Sequence, residues 1–219
     1  MCQPSPINSN ESLISPVPVP VSPQTGSPLK LGVMASGSGT NFEAIAQAIA
    51  DGQLHAQIQV VIYNNPGAKV AARAERWGCP TVLLNHREFA NREALDTAIV
   101  HTLKESGADW VIMAGWMRIV TSVLIDAFPD RVINIHPSLL PSFKGAHAIE
   151  QAFNAGVKIT GCTVHLVRLE VDSGPILMQA AVPILLEDTL ETLQARIQVQ
   201  EHRIFPAAIA LAAHSFGNK

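Results

Sequence analysis

The sequence predicts an α/β domain with a mostly parallel central sheet and helices on both faces. Three observations predict it. Strand-length apolar runs alternate with helical patterns from Lys30 onward. Polar residues able to do chemistry fall just after those runs, where sheets of this class bind ligands. The 219 residues suffice to bury a substantial core, and no segment repeats.

The elements follow in order. "KLGVMAS" is a first buried strand, and "NFEAIAQAIADG" is a helix ended by Gly52. "AQIQVVIYN" alternates like a strand, and "AKVAARAERWG" is a helix stopped by Gly78. "TVLL" is a third strand, followed by one long helix across "FANREALDTAIVHTLKESG". "DWVIMAG" and "RVINIH" are two further strands, with a short helical turn near "SVLIDAF" between them. "AIEQAFNAG" is a helix, "GCTVHLV" and "ILMQAAVPI" are strands, and a helix from "TLETLQARIQ" to "LAAHSF" completes the pattern. The sum is one Rossmann-like domain over residues 30–219, with "SGSGTN", "GWMRI" and "HPSLL" at the carboxyl ends of strands.

Composition narrows the function classes. A net charge of −3 and a pI near 6.2 give no nucleic-acid footprint. No apolar run reaches the roughly 20 residues of a membrane span, so no membrane partner is expected. Cys2, Cys79 and Cys162 are odd in number and in no C-x-x-C pair, which argues against a disulfide framework or zinc site and fits a cytoplasmic location. Residues 1–29 hold seven of the fifteen prolines and neither Lys nor Arg, so they predict a disordered Ser/Pro-rich tail rather than a signal peptide.

The first strand-to-helix turn, "VMASGSGTNFEA", places Gly37, Ser38, Gly39, Thr40 and Asn41 where bare amides and a helix N-terminus form an anion site. Phe42 occupies the place of the third glycine of a dinucleotide fingerprint, and no Gly-Lys-Ser/Thr follows. A nucleophile elbow also fails, since neither Ser36 nor Ser38 has Gly two residues before it. A small phosphate such as a sugar monophosphate fits what remains; a tight turn with glycines for packing fits equally.

"VINIHPSLLP" ends an apolar strand with Asn134 and His136 two residues apart, hence on one face. "RLEVDSGPIL" adds Asp172 before Ser173-Gly174-Pro175. Singly, each has an ordinary structural reading: a loop tie, a core histidine, a turn aspartate. Together they offer an amide donor for an oxyanion, an imidazole for proton transfer and a carboxylate to orient it. Such a set suits acyl transfer to an amine, which needs no protein nucleophile. Ser138 shares a face with His136 but lacks an elbow, so a Ser-His-Asp hydrolase ranks below it. His165, mid-strand in "TVHLV", reads as a packed histidine.

"NIHPSLLP", then Gly145 and His147, then "GCTVHLVRLEVDSGPIL" resemble the shared core of the formyltetrahydrofolate-dependent formyltransferases. "ASGSGTN" and "QVQEHRIFP" resemble the branch of that family serving purine biosynthesis. The resemblance covers Lys30 to Ser215. It implies transfer of the formyl group of 10-formyltetrahydrofolate to the amine of N1-(5-phosphoribosyl)glycinamide, with Asn134, His136 and Asp172 catalytic. It assigns Gly39, Thr40, Asn41, Gln198 and Glu201 to the phosphoribosylated substrate. Folate is implied to meet Arg92, then Met117, Arg118, Ile119 and Val120, then Arg168, Leu169, Glu170 and Val171. It implies small-molecule substrates, no metal, and a monomer or weak homodimer. The stretch Phe143 to Gly145 departs from the family's usual loop.

Two relatives of that core compete. Methionyl-tRNA formyltransferase carries an added C-terminal β domain for RNA, for which neither the charge nor the length of this chain speaks. Formyltetrahydrofolate hydrolase ordinarily has an N-terminal regulatory domain, which 29 proline-rich residues would not build, and it needs no phosphate loop.

Overall fold

The computed structural model describes residues 13–18 and 27–216. The described strands are β1 (Ile14–Ser15), β2 (Leu29–Ala35), β3 (Ala56–Tyr63), β4 (Thr81–Leu83), β5 (Trp110–Met113), β6 (Val132–His136), β7 (Ile159–Leu166) and β8 (Ile176–Pro183). The described helices are α1 (Thr40–Ala50), α2 (Lys69–Arg76), α3 (Arg92–Glu105), α4 (Ser122–Ala127), α5 (Ala148–Asn154) and α6 (Leu190–Phe216). Each predicted element after Lys30 is present. The helix predicted from Phe89 begins instead at Arg92, because Asn91 stays extended and its side chain accepts the Ala94 amide at 2.8 Å.

The eight strands form one sheet in the order β1-β8-β7-β6-β5-β2-β3-β4. From β2 through β6 every pairing is parallel, whereas β6–β7, β7–β8 and β8–β1 are antiparallel. The period of two sorts side chains between the faces. Val33, Ala35, Ile112 and Ile133 pack with Phe42 and Ile45 of α1 and with Ile197 and Phe205 of α6. Met34, Val111, Met113 and Val132 pack on the other side with Leu95, Ile99 and Leu103 of α3 and Leu124 of α4. Continuous apolar runs such as β5, buried at all four positions, are what a sheet covered on both faces requires.

Within the expected tail, Ile14–Ser15 pairs with β8, and the Leu13 carbonyl accepts the Ala181 amide at 2.8 Å. Residues 13–18 of the expected tail thus include a short edge strand. An edge strand presents a row of unpaired donors and acceptors that even a short extended segment can satisfy. The remainder of the tail before residue 27 lies outside the described residues.

The chain runs outward from β2 to β3 and β4, then returns to the other side of β2 as β5. The carboxyl ends of β2 and β5 thus diverge into a crevice, the position where open α/β sheets place ligands.

Candidate active site

A cavity of about 900 Å³ opens over those strand ends, within the range of small-molecule sites. Gly39, Asn41, Asn134, His136, Asp172 and Met117 are among the residues that line it.

The chain leaves β2 and turns into α1 through Gly39, whose φ of 75° is left-handed. A Cβ there would stand 2.7 Å from Val70, so both conformation and space select glycine. Asn41 Nδ2 donates to Glu201 Oε2 at 3.0 Å, joining α1 to α6. Glu201 is only 7% exposed, and Gln198 lies near it on the same helix face, also lining the cavity. Burial pushes the Glu201 carboxyl above its ordinary value, against the opposing hydrogen bond from Asn41. Asn41 Oδ1 is buried with no partner among the described residues, leaving an acceptor free for a ligand N–H.

The Asn134–His136–Asp172 group is assembled by antiparallel pairing. His136 Nδ1 lies 3.3 Å from Asp172 Oδ2, and its Nε2 faces the Phe143 carbonyl at 2.8 Å. Both ring nitrogens therefore meet oxygen acceptors. Asp172 Oδ2 also accepts the Gly145 amide at 2.8 Å. Burial raises the Asp172 carboxyl, but the neighbouring His165 and His136 imidazoles and the hydrogen bond from the Gly145 amide outweigh it, and the group is held below the ordinary range. Phe143, His147 and Asp172 have φ of 54°, 60° and 50°, a concentration of backbone strain around one cavity.

His165 is not simply packed. It lies opposite Asn134 in the β6–β7 register, with Nε2 3.2 Å from Asn134 Nδ2 and 3.6 Å from Asp172 Oδ1. Its Nδ1 donates to the Leu166 carbonyl at 2.9 Å, so Nε2 is free to accept the Asn134 amide and fix its orientation. A signal for this was present: Thr163 and His165 alternate on β7 as Asn134 and His136 do on β6. Ser138 is wholly buried and donates to the Ser142 carbonyl at 2.6 Å, which engages its hydroxyl in the loop.

Two strand-end loops also contribute to the wall. Met117 is 74% exposed and Ile119 is exposed, whereas Val120 is buried in the core. The loop is tied at both ends: the Met117 amide donates to Ser36 Oγ at 2.8 Å, and the Thr121 amide to the buried Asp96 at 2.5 Å. Arg118, Leu169 and Val171 also line the cavity. Arg168 lines it too, but its guanidinium pairs with Asp130 at 2.5 Å. Glu170 is not among the lining residues, and its carboxylate pairs with Lys144 at 3.1 Å. Arg92 is exposed in the first turn of α3 and is not among the residues that line the cavity.

Residues 29–209 match the family model described as formyl transferase. The chain belongs to that family. Among formyl transferases, it is 41% identical over 180 residues to phosphoribosylglycinamide formyltransferase of Bacillus subtilis (strain 168), covering 82% of this chain and 92% of that protein. It is 44% identical over 184 residues to the trifunctional purine biosynthetic protein adenosine-3 of Homo sapiens, covering 84% of this chain. The chain spans only 18% of the length of that trifunctional relative. The crystal structure of glycinamide ribonucleotide transformylase 1 from Symbiobacterium toebii superposes with a TM-score of 0.85 at 44% identity, covering 87% of this chain and 90% of that one. Its formyl transferase fold is therefore shared over nearly all the described residues.

Proposed function

We propose that the protein transfers the formyl group of 10-formyltetrahydrofolate to the amine of N1-(5-phosphoribosyl)glycinamide, giving the N-formyl product and tetrahydrofolate. The observation that carries this reading is a single cavity lined by the glycine loop, a buried acid and the Asn134–His136–Asp172 group. The phosphate meets the amides of Gly39, Thr40 and Asn41. The glycinamide end reaches Glu201, Gln198 and the free Asn41 Oδ1. The flat ring of the donor lies between the loops of Met117 to Val120 and Arg168 to Val171, where exposed apolar side chains cover its faces.

The chemistry follows from these positions. The substrate amine attacks the formyl carbon, and the carbonyl oxygen becomes an oxyanion. The second N–H of Asn134 and an N–H of His136 stabilise that charge in a site screened from water. Asp172 holds the His136 ring and supports the imidazolium. Collapse breaks the bond between the formyl carbon and the folate nitrogen, which takes up a proton as the amine loses one. For His136 to reach the oxyanion, its Nε2 must exchange the Phe143 carbonyl for substrate.

Formyl transfer followed by absorbance, with and without phosphoribosylglycinamide, tests the reading. Turnover that requires the glycinamide is expected. Turnover at the same rate without it would assign water as acceptor and overturn the proposal.

A further inference from the structure

Resting on that reading, we infer that Arg73 is a positioning residue for the anion loop, holding its carbonyls away from the cavity so that its amides face the substrate phosphate.

A loop that offers N–H groups to an anion must dispose of its carbonyl oxygens elsewhere. Here every carbonyl from 36 to 39 is engaged. Ser36 O accepts Asn65 Nδ2 at 2.8 Å, Gly37 O accepts the Val70 amide at 3.2 Å, Ser38 O accepts Arg73 Nε at 2.8 Å, and Gly39 O accepts the Glu43 amide at 3.0 Å. The amides of Gly37 through Asn41 have no partner among the described residues. Two of the four clamps are side chains, Asn65 and Arg73. Asn65 lines the cavity and Arg73 does not, so Arg73 reaches the substrate only through the loop.

Arg73 has a second task. Glu43, in the first turn of α1, places a carboxylate close to the same anion site. Arg73 pairs with it, joined by Arg76 Nη2 at 3.2 Å and Trp77 Nε1 at 3.0 Å. Two guanidiniums against one carboxylate leave a net positive charge behind the loop instead of a negative one, which favours a phosphate at this helix N-terminus. The hydrogen bond from Arg73 is the leading reason the Glu43 carboxyl stays below its ordinary range.

The test is steady-state kinetics of Arg73→Met and Arg73→Lys beside the unaltered chain, with thermal melts as a folding check. Arg73→Met is expected to raise KM for phosphoribosylglycinamide about 10-fold or more, while kcat and the folate KM change less than about 3-fold. With the phosphate-free glycinamide riboside the variant and the unaltered chain should be alike. Arg73→Lys should recover part of the loss, since one ammonium can serve Glu43 or Ser38 O but not both in a fork. If Arg73→Met does not fold, Arg73→Lys carries the same comparison with a smaller KM rise. An equal loss on both substrates, a fall confined to kcat, or an unchanged KM would overturn the inference. Stabilisation by inorganic phosphate, read as a melting shift, separates the two readings. Absence of glycinamide turnover by the unaltered chain would end the functional proposal, and the phosphate shift would still decide Arg73, supporting it if weakened in the variant and refuting it if unchanged.

Discussion

The two ends of the cavity are built by different means. The anion end is local: Gly37 to Asn41 join one strand to the next helix, and their carbonyls are secured mainly by the following βα unit. The proposed catalytic centre is not local. Asn134 and His136 come from β6, His165 from β7, and Asp172 from the loop before β8, and they meet only because these strands pair antiparallel. The proposed anion end is specified by a short sequence motif clamped by the next βα unit, and the proposed catalytic centre by register. Damage at the first should therefore appear in substrate binding, and at the second in turnover.

The largest effect should come at the centre. His136→Ala and Asp172→Asn should each lower kcat by about 10²- to 10⁴-fold with KM for the glycinamide within a few-fold. Stopped-flow or steady-state rates check this, and near-full activity in either variant breaks the comparison. For Asp172 the sign of the pH effect is fixed by its depressed carboxyl. Its contribution to stability is present above the ordinary aspartate value and is lost as pH falls through the lower folded value, so Asp172→Asn should flatten acid melting curves in that window.

At the anion end, Gly39→Ala forces a side chain into φ 75° and against Val70, at a cost of about 1–3 kcal/mol in strain. KM for the phosphorylated substrate should rise about 10- to 100-fold with a smaller change in kcat. A variant that loses only kcat would mean the two ends are not separable.

A smaller loss, about 10-fold in kcat, is expected for His165→Ala, which releases the Asn134 amide without removing it. Recovery by His165→Asn or Gln, able to accept the same hydrogen bond, would sharpen the assignment. Full activity in His165→Ala would return this side chain to a packing role.

The smallest effect is one of stability and has the opposite sign. Because the Glu201 carboxyl is raised by burial, the folded chain keeps this proton to higher pH than the unfolded chain does. Its contribution to stability falls as pH rises from the ordinary glutamate value through the folded one, by about 1.4 kcal/mol per unit of separation. Glu201→Gln should therefore melt higher than the parent at pH 8, with the difference shrinking toward pH 4, while binding the glycinamide less well. A lower melting temperature at pH 8 would show that the buried carboxylate is a structural tie.

Much of this was legible in the order of residues. Gly39, Thr40 and Asn41 could be read as a strand-to-helix turn because a glycine turn there has few conformations. Asn134 and His136 could be placed on one face because the strand period is two. Glu201 could be suspected only through resemblance, since in sequence it looks like any polar residue on a helix, and its near-complete burial is a property of the fold. The contact of His165 with Asn134 could not be read because its partner is 31 positions away. The positions of Met117 and Ile119 on the surface and Val120 in the core also could not be sorted from four consecutive residues outside regular structure.

By itself, the sequence determined the α/β class, the element order and the glycine turn, all consequences of short-range periodicity and backbone freedom. Only the tertiary structure decided that β7 turns back against β6, that Ile14–Ser15 closes the β8 edge and that Arg73 reaches Ser38. The physical reason is the range of the interaction. Strand and helix patterns are set by neighbours a few residues apart, whereas register, edge pairing and side-chain bonds across 35 residues arise only when the whole sheet has packed.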